Sequence, residues 1–543
     1  DIAGMTNGQL QAMSLSQVMA MSTNQVQSLG TAALASLTPT QFAKFSSAQL
    51  KAMTSNQIGV LTSDQIKQLN SSQLQAIDPS DVAAIRANQI AGLSGTIASF
   101  STSQLAALTS AQARTLTTTQ LEALNTAQSL QALSTSSIQA IATDVVNAMS
   151  ATLINALSTK QVAALSSAQI NTLSLAKVNS LTSNTLKALN TQALSGLNAL
   201  LSVKPSVEAA GISSTQLALL NPAQWATLPT SVMAALTDKQ VASLNSSQLA
   251  ALNSTQIKAL SSTTLKSMDT AQIQGIGTPA LAGISTSTIN ALSNAEINKF
   301  SSKQIAGMSA NQIKALTANQ LNNLTTSLLQ AIEPSDLAQI DKTVLASLST
   351  DQFKLLTTAQ ISALNANQLS TVTASQLGNM TTQQVKALTS AQVKTLSGAQ
   401  IKGFSDLIQS LEPTAIGAIS TAAITSLITP SGANNISSTQ LGLLGTAQIA
   451  KLSPTLIAKL SSDQIKGLNS SQISTFDSSQ IRALTPTQLN SMSSEQLQSI
   501  SIAGLAGFTV SALAGMTNVK FQSLTSVQRA ALTSAQKAGV TSS

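Results

Sequence analysis

MTNGQLQA MSLSQVMA MSTNQVQS, residues 5–28, is one eight-residue pattern written three times. The pattern Leu-(Ser/Thr)-x-x-Gln-(Ile/Leu/Val)-x-(Ala/Gly/Ser) continues in LTPTQFAK from Leu37, FSSAQLKA from Phe45 and LTSDQIKQ from Leu61. It returns in the same frame as LSSDQIKG from Leu460 and LNSSQIST from Leu468. A unit this short cannot bury an apolar face alone, so each octad must stack on its neighbours. A strand fails on parity, because the two strongly apolar places, positions one and six, would face opposite sides of a pleat. A single long helix fails too: eight residues advance about 800°, so the apolar stripe would turn by about 80° per unit. The chain therefore turns inside every octad.

A short helix that starts and stops within each unit explains the residues one by one. Position two is Ser, Thr, Asn or Asp, the preferred N-caps, and position five is usually Gln, which completes a capping box. Positions one and six then form the hydrophobic staple. Proline agrees: Pro39, Pro79, Pro222, Pro334, Pro413, Pro454 and Pro486 all stand at position three, the first helical place, whereas Pro205, Pro229, Pro279 and Pro430 do not. Gly92, Gly275, Gly307, Gly403 and Gly467 close their units at position eight, where helix ends favour glycine. Acids such as Asp64 and Asp463 come early and lysines such as Lys67 and Lys466 late, as a helix dipole favours. Every aromatic lies at position one (Phe45, Phe100, Phe300, Phe404, Phe476, Phe508) or six (Phe42, Phe353, Phe521, Trp225), which assigns those positions to the core. The small residue at eight lets successive turns approach.

The fold class expected is all-α: a solenoid of short capped helices, one per octad, forming an elongated rod over residues 1–543 as a single continuous array. Dividing 543 by eight gives about 68 units, and two or three octads per coil would make a rod on the order of 200 to 300 Å long. Five irregular stretches are expected to be joints. Residues 93–99 and 404–410 are one residue short, 197–211 is one short of two octads, and 124–132 and 427–435 are one long.

Composition excludes much chemistry. There is no His, Cys or Tyr, so the usual general base, thiol nucleophile and soft metal ligands are absent. Carboxylates are few and dispersed. No catalytic, cofactor or metal site is expected, and the chain is not expected to be an enzyme. The net charge of +8 is spread over a chain only 8% charged and 2% aromatic, unlike the clustered cations and stacking rings of nucleic-acid binders. Nucleic acid is not expected as a partner. Ser, Thr, Asn or Gln interrupts every unit, so no membrane span is expected, and no signal peptide is visible. The chain opens on Asp1 rather than Met, as in a processed or partial chain. The sequons at Asn70, Asn245, Asn253 and Asn469 read as cap asparagines followed by Ser.

The repeat resembles the Ser/Thr/Gln-rich short-repeat regions of very large secreted or cell-surface bacterial proteins, in strings such as LTSAQVKTLSGAQIKG from Leu388. That resemblance implies a spacer, stalk or fibre-forming role outside the cell or at its surface. The expected function is structural: an extracellular filament, tube or sheath built by head-to-tail or lateral self-assembly, with the chain itself as partner. The alternative is a monomeric stalk or adhesin region of a larger surface protein. The expected assembly ends are Asp1, Ile2 and Gly4 at one side and Val540 and Thr541 at the other, because the two half-octads joined spell VTSSDIAG, an octad of the same type as IDPSDVAA from Ile77. Arg529 and Lys537 complicate that end, standing at position six where Ile is expected.

Overall fold

The computed structural model describes residues 2–124, 126–202, 211–428 and 436–540. They fall into two compact units, Asp1–Ile284 and Ser285–Ser543. The same all-α repeat builds each of them. Among the described residues there is no strand, and α-helices of four to seven residues follow one another along the chain, broken by a few 3-10 helices.

The caps form as the side chains dictate. Thr62 Oγ1 accepts from the backbone N–H of Gln65 at 3.2 Å, and Gln65 Oε1 accepts from the N–H of Thr62 at 2.8 Å. Helix Ser63–Lys67 begins directly after that cap. In the second unit Ser461 and Gln464 make the same exchange, at 3.1 and 2.9 Å, ahead of helix Ser462–Gly467. The seven prolines at position three all open helices. Of the other four, Pro229 stands in the cap position of helix Thr230–Ala235 and Pro279 opens the 3-10 helix Thr278–Gly283, while Pro205 and Pro430 lie outside the described residues. The four sequon asparagines are all N-caps.

Each helix packs on the one three octads earlier. Ser71–Ala76 rests on Ser47–Lys51 in the first unit, and Ser462–Gly467 rests on Ser438–Gly442 in the second. One coil is therefore three octads. Positions one and six fill its interior: Leu61, Ile66, Phe353 and Trp225 are all buried, and the rings of Phe42 and Phe45 lie 5.2 Å apart. Phe521, in the last octads, is only half-buried.

Glycine at position eight has a different cause from the one expected. Gly92 and Gly307 have φ of −74° and −91°, not the left-handed values of a glycine C-cap. Where glycine is needed, it is for close approach. A Cβ on Gly283 would lie 2.0 Å from the carbonyl oxygen of Ser254, and one on Gly467 would lie 2.3 Å from that of Ser438. Position eight thus sits on the backbone of position three of the octad three units back.

The joints divide into two kinds. The short stretches 93–99 and 404–410 become the 3-10 helices Ser94–Ser99 and Ser405–Ser410, each opening on a serine with φ of 48° in the usual cap place. In the stretch 197–211 the described residues hold helix Asn198–Leu201, and the bonds across it are seven residues longer than elsewhere: Gln224 reaches Leu186 and Leu189, 38 and 35 residues back. Part of it, 203–210, lies outside the described residues, as do Asn125 and 429–435 at the two long joints.

Candidate functional site

The residue that organises the stack is the glutamine at position five, whose side chain works in two directions. While Gln65 Oε1 serves its own cap, Gln65 Nε2 donates to the carbonyls of Leu34 at 3.0 Å and Leu37 at 2.8 Å, 31 and 28 residues earlier. Those carbonyls lie just where helix Thr31–Ser36 ends, at the turn into the next octad, and helix ends leave carbonyls without a full set of partners. The pattern repeats in the second unit, where Gln360 Nε2 donates to Leu329 at 2.9 Å and Ile332 at 2.8 Å. Both glutamines are fully buried, so the core expected at positions one and six extends to position five. Glutamate would complete a capping box equally well but has no N–H for the second task. Glu296 illustrates the half-function: its carboxylate accepts from the N–H of Ser293 at 2.6 Å and can donate nothing when ionised.

Asparagine at position seven supplies what some octads lack. Thr325 and Thr517 are caps in octads with Leu328 and Lys520 at position five, and their N–H groups donate instead to Asn298 Oδ1 at 3.0 Å and Asn490 Oδ1 at 2.8 Å, 27 residues earlier. Aspartates at position five behave differently. Asp81 is buried and accepts from the hydroxyl of Ser55, while Asp336 is half-exposed and its carboxyl is raised above the ordinary value by burial and by the charge of Glu333. Asp78 and Asp341 serve as caps; each accepts from the hydroxyl and N–H of the residue two ahead, which holds its carboxyl below the ordinary value.

The two end coils are unlike. At the start, Gln9, Gln17 and Gln25 are exposed, and each uses Oε1 on its own cap at 2.7 to 2.8 Å. Among the described residues no carbonyl accepts from their amides. Ile2 and Gly4 bound the 3-10 helix Ile2–Gly4, which rests on helix Thr23–Ser28, and a Cβ on Gly4 would meet nothing within 4 Å. At the other end Val540 closes helix Ser534–Val540. Asp1 and Thr541 lie outside the described residues. Arg529, half-buried, folds back so that Nη1 donates to the carbonyl of Gln522 at 2.9 Å and to that of Leu524. Lys537 Nζ donates to the carbonyl of Ala530 at 3.1 Å. The two cations at position six act on backbone carbonyls, a role that their departure from Ile signals but does not specify.

Little else carries chemistry. Among the described residues no group of three or more acids could hold a metal ion, and no helix is long and apolar enough to cross a membrane. Shallow concavities between successive cap loops, such as that lined by Phe45, Ser46, Asn70 and Gln73, expose groups already engaged in capping. With three octads per coil, Lys386, Lys394 and Lys402 fall on three different columns of helices, so consecutive lysines make no stripe.

A family model for the ALTTAQ repeat matches residues 34–71 and 329–366, one stretch in each unit. No curated protein matches the chain. Among solved structures it is similar to APUM23-GGAAUUGACGG, at 13% identity with 74% of this chain and 88% of that chain covered and a TM-score of 0.17. It is also similar to the pentatricopeptide repeat protein PPR10 in complex with an 18-nt psaJ RNA element, at 12% identity over 100% and 99% of the two chains and a TM-score of 0.13. The chain is a repeat protein carrying ALTTAQ-type repeats.

Proposed function

We propose that the chain is a structural protein that self-assembles into a filament, tube or sheath outside the cell or at its surface. The observation that carries this reading is the glutamine ladder. Most interior coils present side-chain amides on one face and backbone carbonyls on the other, at the spacing seen for Gln65 and Gln360. Two faces complementary in this way make a heterologous contact, and such a contact that does not close on itself extends indefinitely. The half-octads carrying Asp1, Ile2 and Gly4 and carrying Val540 and Thr541 are the proposed junction. Catalysis is not part of the proposal, because the hydroxyls at position two are committed as caps and the chain has no His or Cys to activate the others. The placement outside the cell rests on the likeness of its octads to those of large secreted and surface proteins.

Electron microscopy across a concentration series tests this. Particles that lengthen with concentration, and stop lengthening when residues 1–4 are deleted, are expected. Particles of one length at every concentration would instead favour the monomeric stalk.

A further inference from the structure

The last described coil departs from the ladder at Arg529 and Lys537. In most of the interior, a coil's carbonyls are taken by glutamine amides from the coil that follows, as those of Leu505 and Phe508 are by Gln536 at 3.0 and 2.8 Å. Lysine takes this role between some interior coils, as Lys520 does on the carbonyl of Met492, 28 residues back, but on the last coil the donors lie on the same coil as the carbonyls they hold. Arg529 holds the carbonyls of Gln522 and Leu524, and Lys537 holds that of Ala530. In these two octads the core position has been given up to a cation, and the cation serves the backbone.

We infer that Arg529 and Lys537 block the carbonyl face of the last coil, and that the occupant they hold off is the first coil of a second copy, docking through the amides of Gln9, Gln17 and Gln25. These glutamines have the chemistry that the face lacks. Each is folded into its capping box with the amide left over, and in most following coils that amide finds its acceptors on a coil end. A first coil meeting another first coil would set donors against donors, so the complementary surface is a coil end. Entry requires Arg529 and Lys537 to leave their carbonyls. This inference deepens the assembly proposed above by giving it a polarity and a barrier.

The test restores the consensus at position six. Arg529→Ile/Lys537→Ile is expected to keep the far-ultraviolet helical spectrum and to form end-to-end oligomers at about tenfold lower concentration than the native chain, read by light scattering. Adding Gln9→Glu, Gln17→Glu and Gln25→Glu keeps each capping box, as Glu296 does for Ser293, but removes the amide donors. The fivefold variant is expected to return to native behaviour. Two results would overturn the inference: a folded double variant that associates no better than the native chain, or enhanced association that survives the three Gln→Glu changes. The latter would place growth on exposed apolar side chains such as Val519 and Val527. If the native chain stays monomeric while the double variant polymerises through these glutamines, the barrier stands and the filament role falls. If the native chain forms filaments that none of the five substitutions alters, the filament role stands and the barrier falls.

Discussion

Asn322 accepts from the backbone N–H of Ser349 at 2.7 Å, while Gln352, which occupies the place that serves most caps, leaves its Oε1 buried and unpaired. Asn322 Nδ2 also donates to the carbonyl of Ser347 at 2.9 Å. Two octads four units apart are thus joined by the earlier one. Asn322→Ala should cost about 1 to 2 kcal/mol, the net worth of two hydrogen bonds. Hydrogen exchange at the amide of Ser349 should accelerate accordingly, and unchanged protection there would mean that Gln352 can resume the role.

Gln65→Glu and Gln9→Glu should differ although the substitution is the same. Glu at position 9 keeps its cap in solvent and should melt within about 0.5 kcal/mol of the native chain. At position 65 a carboxylate would be buried against the carbonyls of Leu34 and Leu37, at a cost of about 3 kcal/mol at neutral pH. Burial raises the folded-state pKa of that Glu above its unfolded value. The penalty therefore applies in full above the folded pKa and shrinks as the pH falls toward the unfolded one. Urea melts of Gln65→Glu at acid and neutral pH check the sign.

Gly283→Ala should destabilise by about 2 kcal/mol or more, since the new Cβ would stand 2.0 Å from a backbone oxygen that cannot move alone. Gly8→Ala, where a Cβ meets nothing within 4 Å, should be neutral or slightly stabilising. Thermal melts of the pair separate close packing from helix propensity.

The aspartates give opposite pH signatures. Asp341 has its pKa lowered by the hydroxyl and N–H of Thr343, so it contributes stability above the unfolded pKa that is lost as the pH falls through the folded one. Asp341→Ala should be less stable than the native chain at neutral pH, with the gap closing in acid. Asp336 has its pKa raised, first by burial and then by Glu333, so its ionised form opposes folding. Asp336→Asn should match or exceed the native chain at neutral pH and lose that margin below the unfolded pKa. A melting series from neutral to acid pH reads both.

What the sequence made legible was local. The box between Thr62 and Gln65, the proline openings and the staple of Leu61 and Ile66 each lie within one octad, so residue type and spacing define them. The second half of Gln65's work spans 31 residues, and it becomes visible only once three octads are known to make a coil. The preference for Gln over Glu at position five was a sign of it, because a capping box alone does not discriminate. Gly467 misled for the same reason: a rule for helix ends is local, whereas the backbone of Ser438 arrives from the coil before. Residues 197–211 read in sequence equally as two octads less one residue or one octad plus seven, and the long reach of Gln224 to Leu186 is not visible in residue type or spacing. At the candidate site, Arg529 and Lys537 stood out by departing from the repeat, but their carbonyl partners depend on how the end coil folds back.

The three-octad coil also bears on how such a chain can change its length between generations. Recombination between near-identical repeats adds or removes whole octads, and most octads would re-form the ladder in any phase because each carries its own Gln and its own cap. Pairs such as Asn298 with Thr325 and Asn490 with Thr517 are tied to partners 27 residues ahead. A gain or loss of one or two octads between such partners breaks the pair and leaves the cap's N–H without it, whereas a change outside the pair leaves it whole. The array is therefore free to drift in size over most of its length and is held to an inherited spacing wherever an asparagine has taken over a glutamine's task.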